Sequence, residues 1–354
     1  MTRLDRLAAR LSDPLLVTSP VNVRYLTGLS SSNAALLVEP GGGTTLYTDF
    51  RYLAKAGRVD GVALVETARD LVGSLASILA GRRVAFESGQ IVHAAYARLL
   101  EGGLDLVAAG GLVDGRPKGP VEELRRAKEP GEIASIRRAA ELSDVMFTAL
   151  AAERFVGRTE RELAWWIERT FREAGASGLS FGAVVASGEN GASPHADPSE
   201  RPIEPGELVT VDAGCVVEGY CSDCTRTFAT GELPAQLAEL YDLCLQAQLA
   251  GLAGVRPGAH GREVDAASRV AIDAAGYGDA YGHGLGHGVG LEVHEAPTLR
   301  PESQDELEPG NVVTVEPGIY LPGLGGVRIE DLVLVTEHGA ERLTQFPKEL
   351  LTVS

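Results

Sequence analysis

The sequence predicts an α/β domain followed by an α+β domain. Three observations carry this. Short apolar runs alternate with amphipathic stretches over residues 1 to about 115. The segment "VDGRPKGP" (113–120), rich in glycine, proline and charge, interrupts the pattern. Beyond it a long helical stretch gives way, from residue 181, to strands and glycine turns. The boundary is placed so that the domains span 1–117 and 118–354.

In the first domain, "LLVTS" (15–19), "AALLVE" (34–39), "TTLYTD" (44–49), "VALVET" (62–67) and "RVAFES" (83–88) read as strands. "FRYLAKAG" (50–57), "DLVGSLASILAG" (70–81) and "VHAAYARLLEGG" (92–103) read as helices, each closed by glycine. After the boundary, Pro130 splits a helical run into two. "TERELAWWIERTFREAG" (159–175) is a further helix, with Thr159 and Glu162 spaced as a capping box. Trp165 and Trp166 read as packing anchors. Helices return at 234–254 and 261–275. A loose duplication of helices plus a carboxylate-bearing hairpin runs through this half.

Composition excludes several classes. Hydrophobic content of 44% and charged content of 23% describe a globular chain. A net charge of -17 disfavours nucleic acid and anionic membranes as partners. The N-terminus has no continuous apolar core of a secretory signal. No window approaches the roughly 20 apolar residues of a membrane span. The expected location is the cytoplasm. Cys215, Cys221, Cys224 and Cys244 lack a second pair or nearby histidines, so they read as reduced, partly buried thiols.

"ELVTVDAGCVVEGYCSDCTRTFAT" (207–230) reads as a β-hairpin turning at Glu218-Gly219. If Val217 pairs with Tyr220, Asp212 falls opposite Thr225 and Asp223 opposite Gly214. Asp212 and Asp223 then share a face as diagonal neighbours. Two such carboxylates repel unless a cation lies between them.

"NVVTVEPGIYLPGLGGVRIEDLVLV" (311–335) repeats the theme. Glu316 ends an apolar strand and Glu330 lies inside the next, where an unpaired charge is costly. Arg328 shares a face with Glu330. It can neutralise one carboxylate, not four. "YGHGLGHGVGLEVHE" (281–295) places glycine at every second position, which makes a helix implausible. In an extended chain His283 and His287 share one face, and the bare face lets another backbone or a substrate approach. His294 lies beyond the glycine run. Four carboxylates and one imidazole, Asp212, Asp223, His287, Glu316 and Glu330, suit two hard divalent ions. Such centres favour hydrolysis.

The order Asp, Asp, His, Glu, Glu in "VDAG", "SDCTRTF", "GHGLGHGVGLEVHE", "VEPGIY" and "GVRIED" resembles the pita-bread metallopeptidases, a group with methionine aminopeptidase, aminopeptidase P, prolidase and creatinase. The likeness covers about 125 to 350. "NVRYLTGLSSSNAALLV" and "LYTDFRYLAKA" resemble the creatinase-type N-terminal domain of the proline-specific members, which methionine aminopeptidase lacks. The resemblance therefore implies a creatinase-type α/β domain with a mixed sheet, then a pita-bread α+β catalytic domain. It implies that Asp212 chelates one ion, that His287 and Glu316 chelate the other, and that Asp223 and Glu330 bridge.

By the same resemblance His195, in "GENGASPHADPSE", binds substrate and relays protons. His294 meets the scissile carbonyl, His283 lines the proline-side pocket, and Arg328 braces the site. Glu316 shuttles a proton to the leaving proline nitrogen. The metals are expected to be two manganese ions, with cobalt or zinc as alternatives. The expected activity is Xaa-Pro aminopeptidase, on peptides with proline second. The alternative is an Xaa-Pro dipeptidase. Prolidases carry an arginine shortly after "HE"; here Thr298 stands near that place and Arg300 lies two residues on. A non-catalytic binding relative is a third reading. A homodimer is expected.

Overall fold

The computed structural model describes residues 1–113 and 115–354. The chain divides into two compact units, Met1–Arg125 and Arg126–Ser354.

The first unit is built on one sheet. Its strands are β1 (Leu15–Val17), β2 (Ala34–Val38), β3 (Thr44–Asp49), β4 (Ala63–Thr67), β5 (Arg83–Glu87) and β6 (Asp105–Ala109), in the order β4-β3-β2-β1-β5-β6. β2 runs antiparallel to β1 and β3; the pairs β3–β4, β1–β5 and β5–β6 are parallel. Short strands β7 (Gly111–Val113) and β8 (Arg116–Lys118) pair beside it. The helices are α1 (Arg3–Ala8), α2 (Pro20–Thr27), α3 (Leu53–Ala56), α4 (Leu71–Ile78), α5 (His93–Glu101) and α6 (Pro120–Arg125). Leu16, Leu37, Leu75, Leu79, Val84 and Leu99 form the core between the sheet and helices α4 and α5.

The expected boundary at 117/118 lies eight residues before the observed division. The reason is α6, which packs on the first unit. Tyr25 Oη donates to Leu124 O (2.9 Å), and Arg125 Nη1 donates to Asn22 Oδ1 (2.9 Å). Lys128 N, just beyond, already donates to Gly310 O (2.8 Å) in the second unit.

In the second unit the helices are α7 (Pro130–Leu150), α8 (Glu160–Glu173), α9 (Ala235–Gly254) and α10 (Gly261–Ala274). Pro130 opens α7, and Thr159 and Glu162 close a capping box on α8. One small sheet joins β10 (Val184–Ser187), β11 (Leu208–Asp212) and β14 (Thr225–Ala229). A second joins β9 (Gly178–Leu179), β12 (Cys215–Val217) and β13 (Tyr220–Cys221). A five-stranded sheet runs β16-β15-β17-β20-β21, from β15 (Gly286–Gly288), β16 (Glu295–Leu299), β17 (Val312–Val315), β20 (Asp331–Thr336) and β21 (Gly339–Arg342). The remaining pair is β18 (Gly318–Leu321) with β19 (Gly325–Arg328). Phe147, Phe155, Phe171 and Phe228 bury α7 and α8 against the first sheet. Leu285, Val313, Val315 and Val333 form a further core within the second unit. Among the described residues no helix is long and apolar enough to cross a membrane.

Two strands expected to be continuous are broken. The first hairpin keeps its expected register, Val217 opposite Tyr220 and Asp212 opposite Thr225, around a turn with φ of 50° at Glu218 and 85° at Gly219. Yet it splits between Asp212 and Cys215, and its halves join different sheets. Likewise Glu330 lies in a gap between β19 and β20, not inside a strand. At each break the chain leaves one sheet for another, and a carboxylate sits at the step.

Candidate metal centre

The breaks in the strands bring three carboxylates together. Asp212 ends β11, Asp223 precedes β14, and Glu330 precedes β20. One oxygen from each lies within 4.8 Å of the others. Asp223 and Glu330 are buried, and Asp212 is nearly so. Burial and mutual repulsion push the Asp223 and Glu330 carboxyls well above the usual range. Burial raises Asp212 as well, against the pull of Arg328.

Among the described residues, Arg328 is a compensating cation for these acids. Arg328 is buried, and its Nη2 donates to Asp212 Oδ2 (2.8 Å). Its Nε donates to Thr225 Oγ1 (3.1 Å), and the Thr225 hydroxyl donates to Glu330 Oε2 (2.7 Å). Asp212 and Glu330 thus each spend one oxygen on the scaffold. The other oxygens, Asp212 Oδ1 and Glu330 Oε1, are buried without a hydrogen-bond partner. A buried acceptor left bare is costly unless something positive meets it.

His287 and Glu316 adjoin the cluster. His287 Nε2 lies 3.1 Å from Glu316 Oε1 and 3.7 Å from Asp223 Oδ2. His287 Nδ1 lies 3.2 Å from Gly288 O, which turns that edge of the ring away from the acids. Nε2 is the ring nitrogen that faces the two carboxylates. Burial raises Glu316, but the His287 contact and nearby positive groups outweigh it and hold the carboxyl at about 2. Thr314 joins the pair: its Oγ1 accepts from His287 N (3.1 Å) and donates to Glu316 Oε1 (2.9 Å). A set of this kind, with two orphaned carboxylate oxygens and an imidazole nitrogen beside them, fits hard or borderline divalent cations.

The glycine pattern now has a physical reason. A Cβ on Gly286 would lie 2.0 Å from Thr314 O, and one on Gly288 would lie 2.2 Å from Ala296 O. One on Gly284 would lie 2.6 Å from Arg300 Cβ, and one on Gly290 would lie 2.3 Å from Glu295 Oε1. Strands β16 and β17 close on β15 from either side, and only a bare backbone admits both. Gly282 is the exception, with nothing within 4 Å.

His294 is exposed, and its ring stands edge-on to His287 at 4.3 Å between centroids. His283 Nδ1 donates to Gly284 O (2.8 Å), so its Nε2 accepts from Tyr320 Oη (2.9 Å). Tyr320 Oη in turn accepts from Arg328 Nη1 (2.9 Å). His195 is exposed on the loop after β10, and the carbonyl of its neighbour Pro194 accepts from Arg328 Nη1 (3.2 Å). Sequence reasoning missed Thr225, Thr314 and Tyr320. For Thr314 the available signal was a hydroxyl inside an otherwise apolar strand.

Behind the site lies a buried ionic frame. Arg226, next to Thr225, donates from Nη2 to Asp331 Oδ1 (2.9 Å) and Phe346 O (2.6 Å). Asp331, next to Glu330, also accepts from Lys348 Nζ (2.6 Å) and Gln248 Nε2 (3.1 Å). All four cysteines are free and buried, and burial pushes Cys215 up to about 11.

The profile of metallopeptidase family M24 matches residues 134–337, and that of the creatinase/prolidase N-terminal domain matches residues 3–116. The Xaa-Pro dipeptidase of Pyrococcus furiosus is 35% identical over 339 residues, 96% of this chain and 95% of that protein. The solved Xaa-Pro dipeptidase from Bacillus anthracis is 38% identical over 99% of both chains, with a TM-score of 0.93. The solved X-Pro aminopeptidase from Thermotoga maritima is 32% identical over 96% of this chain and 97% of that one, with a TM-score of 0.85. Both expected folds, creatinase-type and pita-bread, are therefore present.

Proposed function

We propose, for a chain that belongs to metallopeptidase family M24 and is thereby a metallo-exopeptidase, that its substrate is an Xaa-Pro dipeptide. The observation that carries the chemistry is the cluster of Asp212, Asp223 and Glu330 with two orphaned oxygens, flanked by His287 and Glu316. The substrate class is supported by the names of relatives that match nearly the whole chain. This inverts the order expected from the sequence, where aminopeptidase stood first.

Asp212, Asp223, Glu330, His287 and Glu316 would hold two divalent ions, manganese in this reading. When bound, such ions polarise the scissile carbonyl and activate water. The chain's own groups do the rest. Arg328 holds Asp212, and Thr225 holds Glu330, so the acids need little rearrangement. Glu316 Oε1 is engaged by Thr314, which leaves Oε2 to carry a proton to the departing proline nitrogen. His294 meets the carbonyl oxygen, His283 lines the proline side, and His195 binds the substrate. The active form is a cytoplasmic homodimer in this reading.

One observation favours the aminopeptidase alternative. Thr298, near the place of the prolidase arginine, is neutral, and its hydroxyl donates to Ser303 Oγ (3.1 Å) and Asp305 Oδ2 (3.2 Å). It offers nothing to a substrate carboxylate. The test is a manganese-loaded assay on a Xaa-Pro dipeptide and a Xaa-Pro-Xaa tripeptide, with products read by mass spectrometry. Cleavage of the dipeptide alone supports the dipeptidase and makes Arg300 the first candidate for meeting the carboxylate. Strong cleavage of the tripeptide at the Xaa-Pro bond overturns it in favour of the aminopeptidase.

A further inference from the structure

Glu160 opens α8, in the first turn, where an acid ordinarily faces water and favours the helix dipole. Here it is fully buried. Its Oε1 accepts from Ser187 N (2.7 Å) and Ser187 Oγ (2.8 Å). Its Oε2 accepts from Ser199 N (3.0 Å) and Ser199 Oγ (2.7 Å). Asn190 Nδ2 reaches both oxygens, at 3.1 and 3.0 Å. These donors hold the carboxylate ionised although burial opposes it. Every one of them belongs to the segment from Ser187 to Ser199. That segment carries His195, and one buried carboxylate ties its two ends together.

Elsewhere the same segment rests on β19. A Cβ on Gly326 would lie 2.1 Å from Gly191 O, and Arg328 Nη1 reaches Pro194 O at 3.2 Å. Arg201 donates to Ser187 Oγ (2.8 Å) and pairs with Glu207, which steadies the first anchor from behind. Glu160 hydrogen-bonds to none of the five candidate metal ligands. Its carboxylate faces the loop and nothing of the metal cluster.

We infer that Glu160 is a positioning residue: its carboxylate staples both ends of the 187–199 loop and so fixes where His195 stands. This rests on the reading that His195 binds substrate. Loss of the staple frees the loop without removing a metal ligand. The signature is weaker substrate binding with chemistry and metal content retained.

The experiment compares full-length Glu160→Gln, His195→Ala and the double variant, loaded with manganese. It measures kcat and KM on a Xaa-Pro dipeptide, metal stoichiometry by elemental analysis, and amide hydrogen exchange. If the dipeptide is not cleaved, the tripeptide serves. Glu160→Gln keeps the side-chain size but turns an amide toward donors. It should raise KM about ten-fold with kcat within about two-fold, the size of one lost charged hydrogen bond. Metal content should match wild type, and exchange should quicken across 188–199. In the His195→Ala background it should add little, because both act through one group.

Full multiplication of the two effects overturns the inference, as does unchanged KM in Glu160→Gln beside a raised KM in His195→Ala. Unchanged KM in His195→Ala removes the reading of His195 and the inference with it. If Glu160→Gln does not fold, Ser199→Ala removes a single hydroxyl donor. A folded Ser199→Ala with wild-type KM and wild-type exchange across 188–199 also overturns it.

Discussion

Replacing Gly286 by alanine would put a methyl group where the next strand already lies. The added Cβ would stand 2.0 Å from Thr314 O and 2.8 Å from Thr314 Oγ1. Real Cβ atoms do not come within 3.0 Å of such an atom, so β15 and β17 would have to part by the missing 1.0 Å. Hydrogen bonds that cross that gap include Glu316 N to Leu285 O (2.8 Å), Val289 N to Val312 O (3.0 Å) and His287 N to Thr314 Oγ1 (3.1 Å). Stretching them by that much breaks at least one. Losing one or two at about 1 kcal/mol each, with about 1–3 kcal/mol for over-packing, gives roughly 3 kcal/mol of destabilisation. In a unit of this size that lowers Tm by about 10 °C.

The functional effect follows from the same gap. His287 stands on one side of it and Glu316 on the other. Manganese affinity should fall by about 10–100-fold, as when the support of a ligand is lost. Denaturant unfolding of the metal-free protein and calorimetric manganese titration read the two effects separately. Gly282→Ala is the control, since nothing lies within 4 Å of the added methyl group, and it should change stability by less than about 0.5 kcal/mol. A Gly286→Ala protein with wild-type stability and wild-type affinity would refute the view that close strand approach dictates this glycine.

Two further outcomes are expected. Asp223→Ala removes the carboxylate that lies beside both His287 and the rest of the cluster; elemental analysis should show lost metal, and activity should drop by more than about 100-fold, whereas full turnover without added metal would contradict the account. Glu87, buried at the end of β5, keeps its proton up to about 7, while the unfolded chain releases it near 4.5. The folded state binds the extra proton between those values, so this contribution is present below about pH 4.5 and lost as pH rises through 7. Relative to Glu87→Gln, the wild type should lose about 2–3 kcal/mol of unfolding free energy between pH 5 and 8. Parallel pH dependence of the two proteins in denaturant titrations would count against it.

The legible parts of the molecule were those with a local chemical cause. The Glu218-Gly219 turn fixes its hairpin, and once Val217 faces Tyr220 the period of two sets Asp212 opposite Thr225. Thr159 and Glu162 announce α8 because the capping geometry is contained in four residues. Alternate glycines spoke against a helix around His287, and β15 is extended. The breaks at Ala213–Gly214 and Ile329–Glu330 had no such cause within the segment. Apolar alternation runs through them, and only the competition between sheets for the backbone decides where the chain steps across.

Hydroxyl roles were hidden for a related reason. Thr225 and Thr314 have ordinary strand propensity, and nothing nearby in sequence says that each bridges two site residues. Helix α2 was passed over although Pro20 marks its first turn. β6 was passed over too, since "DLVAA" is short and weakly apolar. Glu160 looked like any acid at a helix start, and its burial comes from a loop that returns to it 27 to 39 residues later.

The frame behind the acids has a consequence for how the protein lives with its ions. At the start of β14 and at the step into β20, one residue, Thr225 or Glu330, faces the cluster and the next, Arg226 or Asp331, joins the Arg226–Asp331–Lys348 network. The receptor for the cations is thus held from the rear by bonds that no cation makes. Those bonds do not need the ions, so the chain is expected to stay folded when the ions leave, unlike small domains that fold around their metal. On that expectation the receptor is refilled without refolding. Its occupant is then set by whichever divalent ion the surroundings supply at the highest free concentration relative to its affinity.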